Sequence, residues 1–362
     1  MLLTLLATTA AADYPPQYPP YYTIHTFPQP VDHSNAEDHP TYKERYLLNA
    51  TWWAGPGAPI IFYTGAEGSG VPAIFSHSGY IMDLAQKLSA LVIFAEMRFF
   101  GASLPFGAND SFIADPTHLG LLSIENTLAD YASLLSSIKA ERNASTSPVI
   151  AVGGSLAGSL AFWFRVKYPS LVTLALASSA PILGYPSLTS PYGWYRVATD
   201  TYTKQSPGCV EMVREAFSTL QAESCAKCLS KAFDTCEPIP QSELGRAKSE
   251  IISRVTGSLA ANAESSYPLS TSPVVSACSK MEAAGGGSSS AAFAPILTTP
   301  GKCLDLLPSS SSKPLLPRRR SAGGSSMLLL RGRSSSSVRY PRSGKEALHD
   351  AWFYLACTEI IH

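Results

Sequence analysis

Four short apolar runs, each about the length of one strand, set the limits on this fold. Pro59 to Thr64 (PIIFYT), Leu91 to Glu96 (LVIFAE), Pro148 to Gly153 (PVIAVG) and Leu171 to Ala177 carry no polar alternation. A strand with one wet face would alternate, so strands of this kind need cover on both faces. Segments with a helical period lie between them. Tyr80 to Ala90 sets Ile81, Leu84 and Leu88 on one side. Ser123 to Arg142 places Ile124, Leu128, Tyr131, Leu135 and Ile138 on one stripe, with Ser123 as a candidate N-cap. Leu156 to Tyr168 is a further helix, stopped by Pro169. This alternation predicts an α/β fold built on a parallel sheet. The 362 residues suffice for one large domain of this kind or two ordinary ones.

The flanking regions read differently. Residues 13–58 are rich in Pro, Tyr and polar groups and read as an extended lead-in. Beyond Pro181, helical segments such as Cys209 to Leu229 and Leu244 to Thr256 dominate, which predicts a separate helical region. All seven cysteines lie after residue 208. Cys225-Ala226-Lys227-Cys228 has the spacing of half a zinc site, but no second C-x-x-C or H-x-x-x-H follows. Disulfides pinning this region are the better reading, and the odd count leaves at least one cysteine over. Residues 285–345 hold glycine and serine runs and Arg318-Arg319-Arg320, with no helix or strand period. They read as a disordered low-complexity insertion or a misread gene structure, with a basic docking segment as the sharper alternative.

Charge and the N-terminus bound the setting. Lys plus Arg and Asp plus Glu both number 27, so the net charge is zero. Lys313 to Lys345 carries nine basic residues and no acidic one, which leaves the rest of the chain at −9. Nothing in this balance points to nucleic acid or an anionic membrane as partner. No run of about 18 apolar residues is present, so no membrane-spanning helix is expected. Met1 to Ala12 (MLLTLLATTAAA) ends in small residues and reads as a signal peptide over residues 1–12. Sequons at Asn49, Asn109 and Asn143 predict N-glycosylation, in keeping with export. No cofactor or metal is implied.

One motif carries chemistry. The third apolar run leads into Gly153-Gly154-Ser155-Leu156-Ala157-Gly158 and then a helix. Strand, tight turn with a central serine, and helix is the context of a nucleophile elbow. The turn lifts the serine hydroxyl above the sheet, and the following amide, that of Leu156, points where an oxyanion would form. Ala157 stands where the G-x-S-x-G pattern has its last glycine. Thr64 to Gly70 (TGAEGSG) follows the first run and is the place for a second oxyanion amide, at Glu67 or Gly68. From spacing alone, a flexible turn explains that loop equally well.

Several segments together resemble the prolyl-specific serine carboxypeptidase family, which includes lysosomal Pro-X carboxypeptidase, dipeptidyl peptidase II and thymus-specific serine protease. Gln29-Pro30-Val31-Asp32-His33, Pro59 to Gly68 (PIIFYTGAEG) and Phe94 to Gly107 (FAEMRFFGASLPFG) are similar to family segments. So are Gly153 to Pro169 (GGSLAGSLAFWFRVKYP) and Trp352 to Glu359 (WFYLACTE). The resemblance implies an α/β-hydrolase fold with a helical, disulfide-bonded cap. It divides the chain into residues 13–184 as the first part of the hydrolase domain, 185–284 as the cap, 285–345 as the insertion and 346–362 as the end of the cap. It also implies a Ser-Asp-His hydrolase with a peptide substrate, sited in a lysosome, a vacuole or outside the cell. Oligomeric state stays open, a homodimer included.

The departures from the family pattern fall near the site. Met97 replaces the usual His, Phe99-Phe100 replaces Tyr-Tyr, Leu156 replaces Tyr and Leu355 replaces Gln. In this fold the triad runs Ser, Asp, His along the chain. Only His349 and His362 follow Ser155, and in the family the triad Asp and His come after the Cys-Thr-Glu segment, where this chain stops. The expectation is a serine exopeptidase cleaving next to proline through an acyl-enzyme at Ser155, inactive if its Asp and His are missing. The alternatives are a peptide-binding remnant without catalysis and an esterase or lipase on the same fold.

Overall fold

A computed structural model of the chain describes residues 21–34, 40–65, 67–68, 70–107, 118, 120–183, 188–190, 192–266, 271–299 and 301–307. The expected signal peptide, His39, the sequon at Asn109, residues 308–345 and the segment 346–362 lie outside them. Two units are distinguished, divided at Ser190 and Pro191.

The first unit is built on a six-stranded sheet. Its strands are β1 (Thr23–Pro30), β2 (Thr41–Asn49), β3 (Ile60–Thr64), β4 (Leu91–Ala95), β5 (Val149–Gly154) and β6 (Leu174–Ser178). The order is β1-β2-β4-β3-β5-β6. β1 with β2 and β2 with β4 are antiparallel; the other pairs are parallel. The three apolar runs at its centre form strands as expected, and every residue of β3 and β4 is buried. Among the described residues four helices accompany the sheet: α1 (Val71–Ser76), α2 (Gly79–Leu88), α3 (Ile124–Glu141) and α4 (Leu156–Lys167). Ser123 does cap α3, its Oγ accepting from the Asn126 amide at 3.2 Å, and all five residues of the predicted stripe are buried. Phe62 of β3 meets Tyr131 of α3 and Phe164 of α4, both at 5.6 Å between ring centroids.

Three expectations need correction here. The lead-in of residues 13–58 is not merely extended: it supplies β1 and β2. β1 is the sheet's edge, which tolerates Pro28 and Pro30 because an edge strand can spare backbone donors. β6 is not covered on both faces, since Leu174 and Leu176 are 59% and 38% exposed. Residues 285–307 are not structureless: Phe293, Leu304 and Leu306 are buried in a hydrophobic cluster.

The second unit is helical. It comprises α5 (Gly193–Gln205), α6 (Cys209–Ala222), α7 (Ala226–Ala232), α8 (Leu244–Glu264), α9 (Pro273–Ala283) and the short α10 (Ala294–Leu297). The single helix expected over 209–229 is two, because Glu223 leaves helical geometry at ψ 123° and Cys225 restarts the chain as a new N-cap. Leu220, Leu229, Phe233, Ile251, Val255 and Phe293 form its core. Three disulfides, Cys209–Cys278, Cys225–Cys228 and Cys236–Cys303, account for six of the seven cysteines. The seventh, Cys357, lies outside the described residues.

Candidate active site

β3 and β5 are parallel neighbours, so the loops at their carboxyl ends emerge side by side. Thr64, the last residue of β3, links the two, its Oγ1 donating to the carbonyls of Val152 at 3.2 Å and Ala157 at 2.7 Å. Beyond β5 the chain turns sharply at Ser155, whose φ is 56° and ψ −127°. A side chain in this left-handed region is uncommon and costs backbone energy. Hydrogen bonds hold the turn. The Ser155 amide donates to Ser178 O of β6 at 3.0 Å, and its carbonyl accepts from the Ser159 amide at 3.1 Å. The residue is exposed, and no hydrogen bond to its hydroxyl is found among the described residues. A Cβ at Gly153 would collide with the backbone of Ala157 and Gly158, so strand and helix close on each other only with glycine there. The methyl of Ala157, in the pattern's last glycine position, is buried in the same core cluster as Val152 and Val92.

Leu156 is the first residue of α4 and is buried, with its amide among the four at a helix start that lack intrahelical partners. Glu67 and Gly68 lie in the loop after β3. Gly65 anchors that loop at one end, its amide donating to Ala95 O at 2.9 Å and its carbonyl accepting from the Tyr131 hydroxyl at 2.7 Å. Glu96 anchors the other. Its Oε1 takes Arg45 Nη2 at 2.5 Å and the Val71 amide at 3.3 Å; its Oε2 takes the Ala102 amide and Ser103 Oγ, both at 2.8 Å.

Glu67, in the loop after β3, carries an electrostatic signal of its own. One carboxyl oxygen, Oε2, is shut off from solvent and has no hydrogen-bond partner among the described residues. Burial raises its pKa from 4.5 to about 7, against the opposing pull of its own backbone amide. Tyr63 of β3 senses both loops: burial and the Glu67 charge push its phenol up to about 12, while the Gly154 amide pulls it back. A carboxyl that ionises less readily when folded stabilises the protein at low pH. This contribution is present below about 4.5 and is lost as pH rises to about 7. Glu67→Gln is therefore expected to flatten the fall in stability over that window, by up to about 1 kcal/mol per pH unit. Urea unfolding at several pH values checks it; an unchanged slope would show that Glu67 is ionised throughout.

The described residues that depart from the family pattern are core, while Leu355 lies outside the described residues. Met97 and Phe100 are fully buried and Phe99 nearly so. Between them Arg98, also fully buried, forms a network that sequence reasoning missed. Its Nε and Nη2 grip the two oxygens of Asp130 at 2.6 and 2.8 Å, and it donates to the carbonyls of Pro30, Val31 and Leu121. His33 Nε2 and the Tyr42 hydroxyl reach the same carboxylate, each at 2.7 Å. Burial and the Asp130 charge hold neighbouring Glu44 well above the usual carboxylate range.

Asn49 ends β2 at 2% exposure, with its Oδ1 on the Thr51 amide and its Nδ2 enclosed. A glycan would have to be carried on that enclosed nitrogen. Asn143 is exposed just past α3. The described histidines before Ser155 all have other engagements. His25 stacks on Tyr46, His33 pairs with Asp130, His77 holds the Ala73 carbonyl and His118 stacks on Phe106.

The strand order, the parallel pairing and the strained serine turn define an α/β-hydrolase fold. The chain belongs to the serine carboxypeptidase S28 family, whose profile matches residues 29–361. It is 38% identical over 227 residues to lysosomal Pro-X carboxypeptidase of Bos taurus, covering 61% of this chain and 45% of that one. It is 34% identical over 222 residues to thymus-specific serine protease of Mus musculus, covering 60% and 41%. Prolyl carboxy peptidase like protein 5 of Caenorhabditis elegans is 44% identical over 153 residues, covering 42% and 29%. The chain thus spans about half the length of the curated relatives it matches or less.

Proposed function

We propose that Ser155 is the nucleophile of a serine exopeptidase that cleaves peptides next to proline. The observation that carries this reading is the turn itself: an exposed serine at φ 56°, between a buried parallel strand and a helix start, its hydroxyl unengaged among the described residues. Strain of this kind persists only where the surroundings impose it, and it clusters at working sites. Ser155 Oγ attacks the peptide carbonyl, the leaving amine departs with a proton, and water then releases the acyl group. The Leu156 amide and an amide of the Glu67–Gly68 loop hold the oxyanion. Below its pKa of about 7, Glu67 is a neutral acid on this loop, so it adds no negative charge beside the oxyanion. The general base belongs to residues other than the four described histidines, whose rings are engaged elsewhere.

The substrate class rests on the family and on relatives whose names specify Pro-X cleavage. The three disulfides fit an oxidising compartment, and a lysosomal or secreted setting is proposed on that ground and on the lysosomal relatives. The helical second unit is proposed as the cap. A second reading, a peptide-binding protein without catalysis, is favoured by the same engaged histidines.

Incubating the protein and its Ser155→Ala variant with proline-containing peptides separates these readings. The proposal predicts products shortened by one C-terminal or two N-terminal residues, absent with the variant. Faster turnover of simple esters would make it an esterase, and binding without cleavage would leave the non-catalytic reading.

A further inference from the structure

The Cys225–Cys228 bridge is set apart from the other two disulfides by what it connects. It closes a separation of 3 residues, whereas Cys209–Cys278 and Cys236–Cys303 close 69 and 67. A bridge removes denatured-state freedom in proportion to the logarithm of the loop it closes, so this one constrains least. Its surroundings hold without it. The Ala226 amide donates to Gln241 Oε1 at 3.1 Å and the Cys225 amide to Glu223 Oε1 at 2.9 Å. Ala226 and Leu229 are buried in the core of the helical unit.

Accessibility adds to this. Cys228 is exposed, while Cys209 and Cys278 are buried at 3% and 4%. Cys236–Cys303 is also accessible, but it clamps two distant segments already joined by hydrogen bonds, Cys236 N to Leu304 O at 3.0 Å and Leu304 N to Asp234 O at 2.8 Å. The Cys228 amide donates to Cys225 Sγ at 3.0 Å, which favours negative charge on that sulfur. Lys227 and Lys231 are exposed nearby in the chain and favour a thiolate too; the Glu223 carboxylate works against it.

We propose that Cys225–Cys228 is a thiol–disulfide exchange site, an activity separate from the chemistry at Ser155. An external thiolate attacks the exposed Cys228 sulfur. The Cys225–Cys228 bond breaks, a mixed disulfide forms at Cys228, and Cys225 departs as a thiolate that its amide donor stabilises. A second external thiolate attacks the external sulfur of the mixed disulfide and releases Cys228. Two external thiols leave as one disulfide, and the two electrons reside in the Cys225–Cys228 dithiol. The reverse sequence reduces a disulfide on a partner.

The test uses the whole chain in graded glutathione buffers, with iodoacetamide trapping and peptide mass spectrometry. Cys225 and Cys228 are expected to alkylate at least about tenfold sooner than Cys209, Cys278, Cys236 and Cys303. The reduced chain is expected to reduce insulin disulfides catalytically with glutathione as the electron source. Cys225→Ser/Cys228→Ser should abolish that turnover and leave the melting temperature unchanged. Simultaneous opening of all three bridges, or turnover that survives the double variant, would overturn the proposal. So would a double variant that fails to fold, which would make the bridge structural.

Discussion

Arg98→Leu is expected to cost about 3–5 kcal/mol, enough to remove much of the stability of a typical domain. Asp130 sits at 1% exposure, and Arg98 supplies two of the four hydrogen bonds its carboxylate makes among the described residues. Removing the guanidinium leaves a carboxylate in the interior with only His33 and Tyr42 against it. It also removes a donor from the carbonyls of Pro30, Val31 and Leu121, the last of which keeps Asn126 Nδ2 at 3.4 Å. Arg98→Lys keeps the charge but loses the planar fork, so it should recover only part of the loss. Replacing both partners, as in Arg98→Leu/Asp130→Leu, should cost less than the sum of the single changes, since no unpaired charge remains. The exposed pair Arg214 with Glu211 is the comparison: breaking it should move stability by less than about 0.5 kcal/mol. Urea unfolding measures all of these, and a loss below about 1 kcal/mol for Arg98→Leu would show that the network does not hold the fold.

Gly153→Ala has the second large effect, and it falls on the site. The added carbon would meet the carbonyl group of Ala157 and the amide nitrogen of Gly158, which are backbone atoms with no freedom to swing aside. α4 must move for the methyl to fit, at about 1–3 kcal/mol, and Ser155 moves with it. A displacement of about 1 Å at a reacting group costs on the order of a hundredfold in rate. Gly154→Ala tests whether position rather than composition decides this. A Cβ there finds only Ser178 O, at 3.9 Å, so that variant should behave like the parent. Equal reactivity of Ser155 in all three proteins would mean that the close strand–helix approach does not position it.

The two substitutions also mark what a sequence can and cannot convey. β3, β4 and β5 were legible because burial on both faces leaves an unbroken apolar run. The turn at Ser155 was legible because its steric demands are local and met by glycines beside it. β2 was not legible, although Tyr42, Glu44 and Tyr46 alternate inward. One of its inward residues is a carboxyl, Glu44, with one oxygen bonded to Gln29 of β1, so no apolar period runs along it. Arg98 and Asp130 are 32 residues apart, and neither signals the other before the chain folds. Serine and glycine runs suggested disorder through residue 307, yet a few apolar side chains, Phe293 and Leu304 among them, and Cys303 suffice to fix that part.

Labelling with a fluorophosphonate probe followed by peptide mapping tests the central claim most directly. The account predicts a single adduct on Ser155, formed by the folded protein and absent from Ser155→Ala. A folded protein whose Ser155 stays unmodified, or reacts no faster than its other exposed serines, would contradict it.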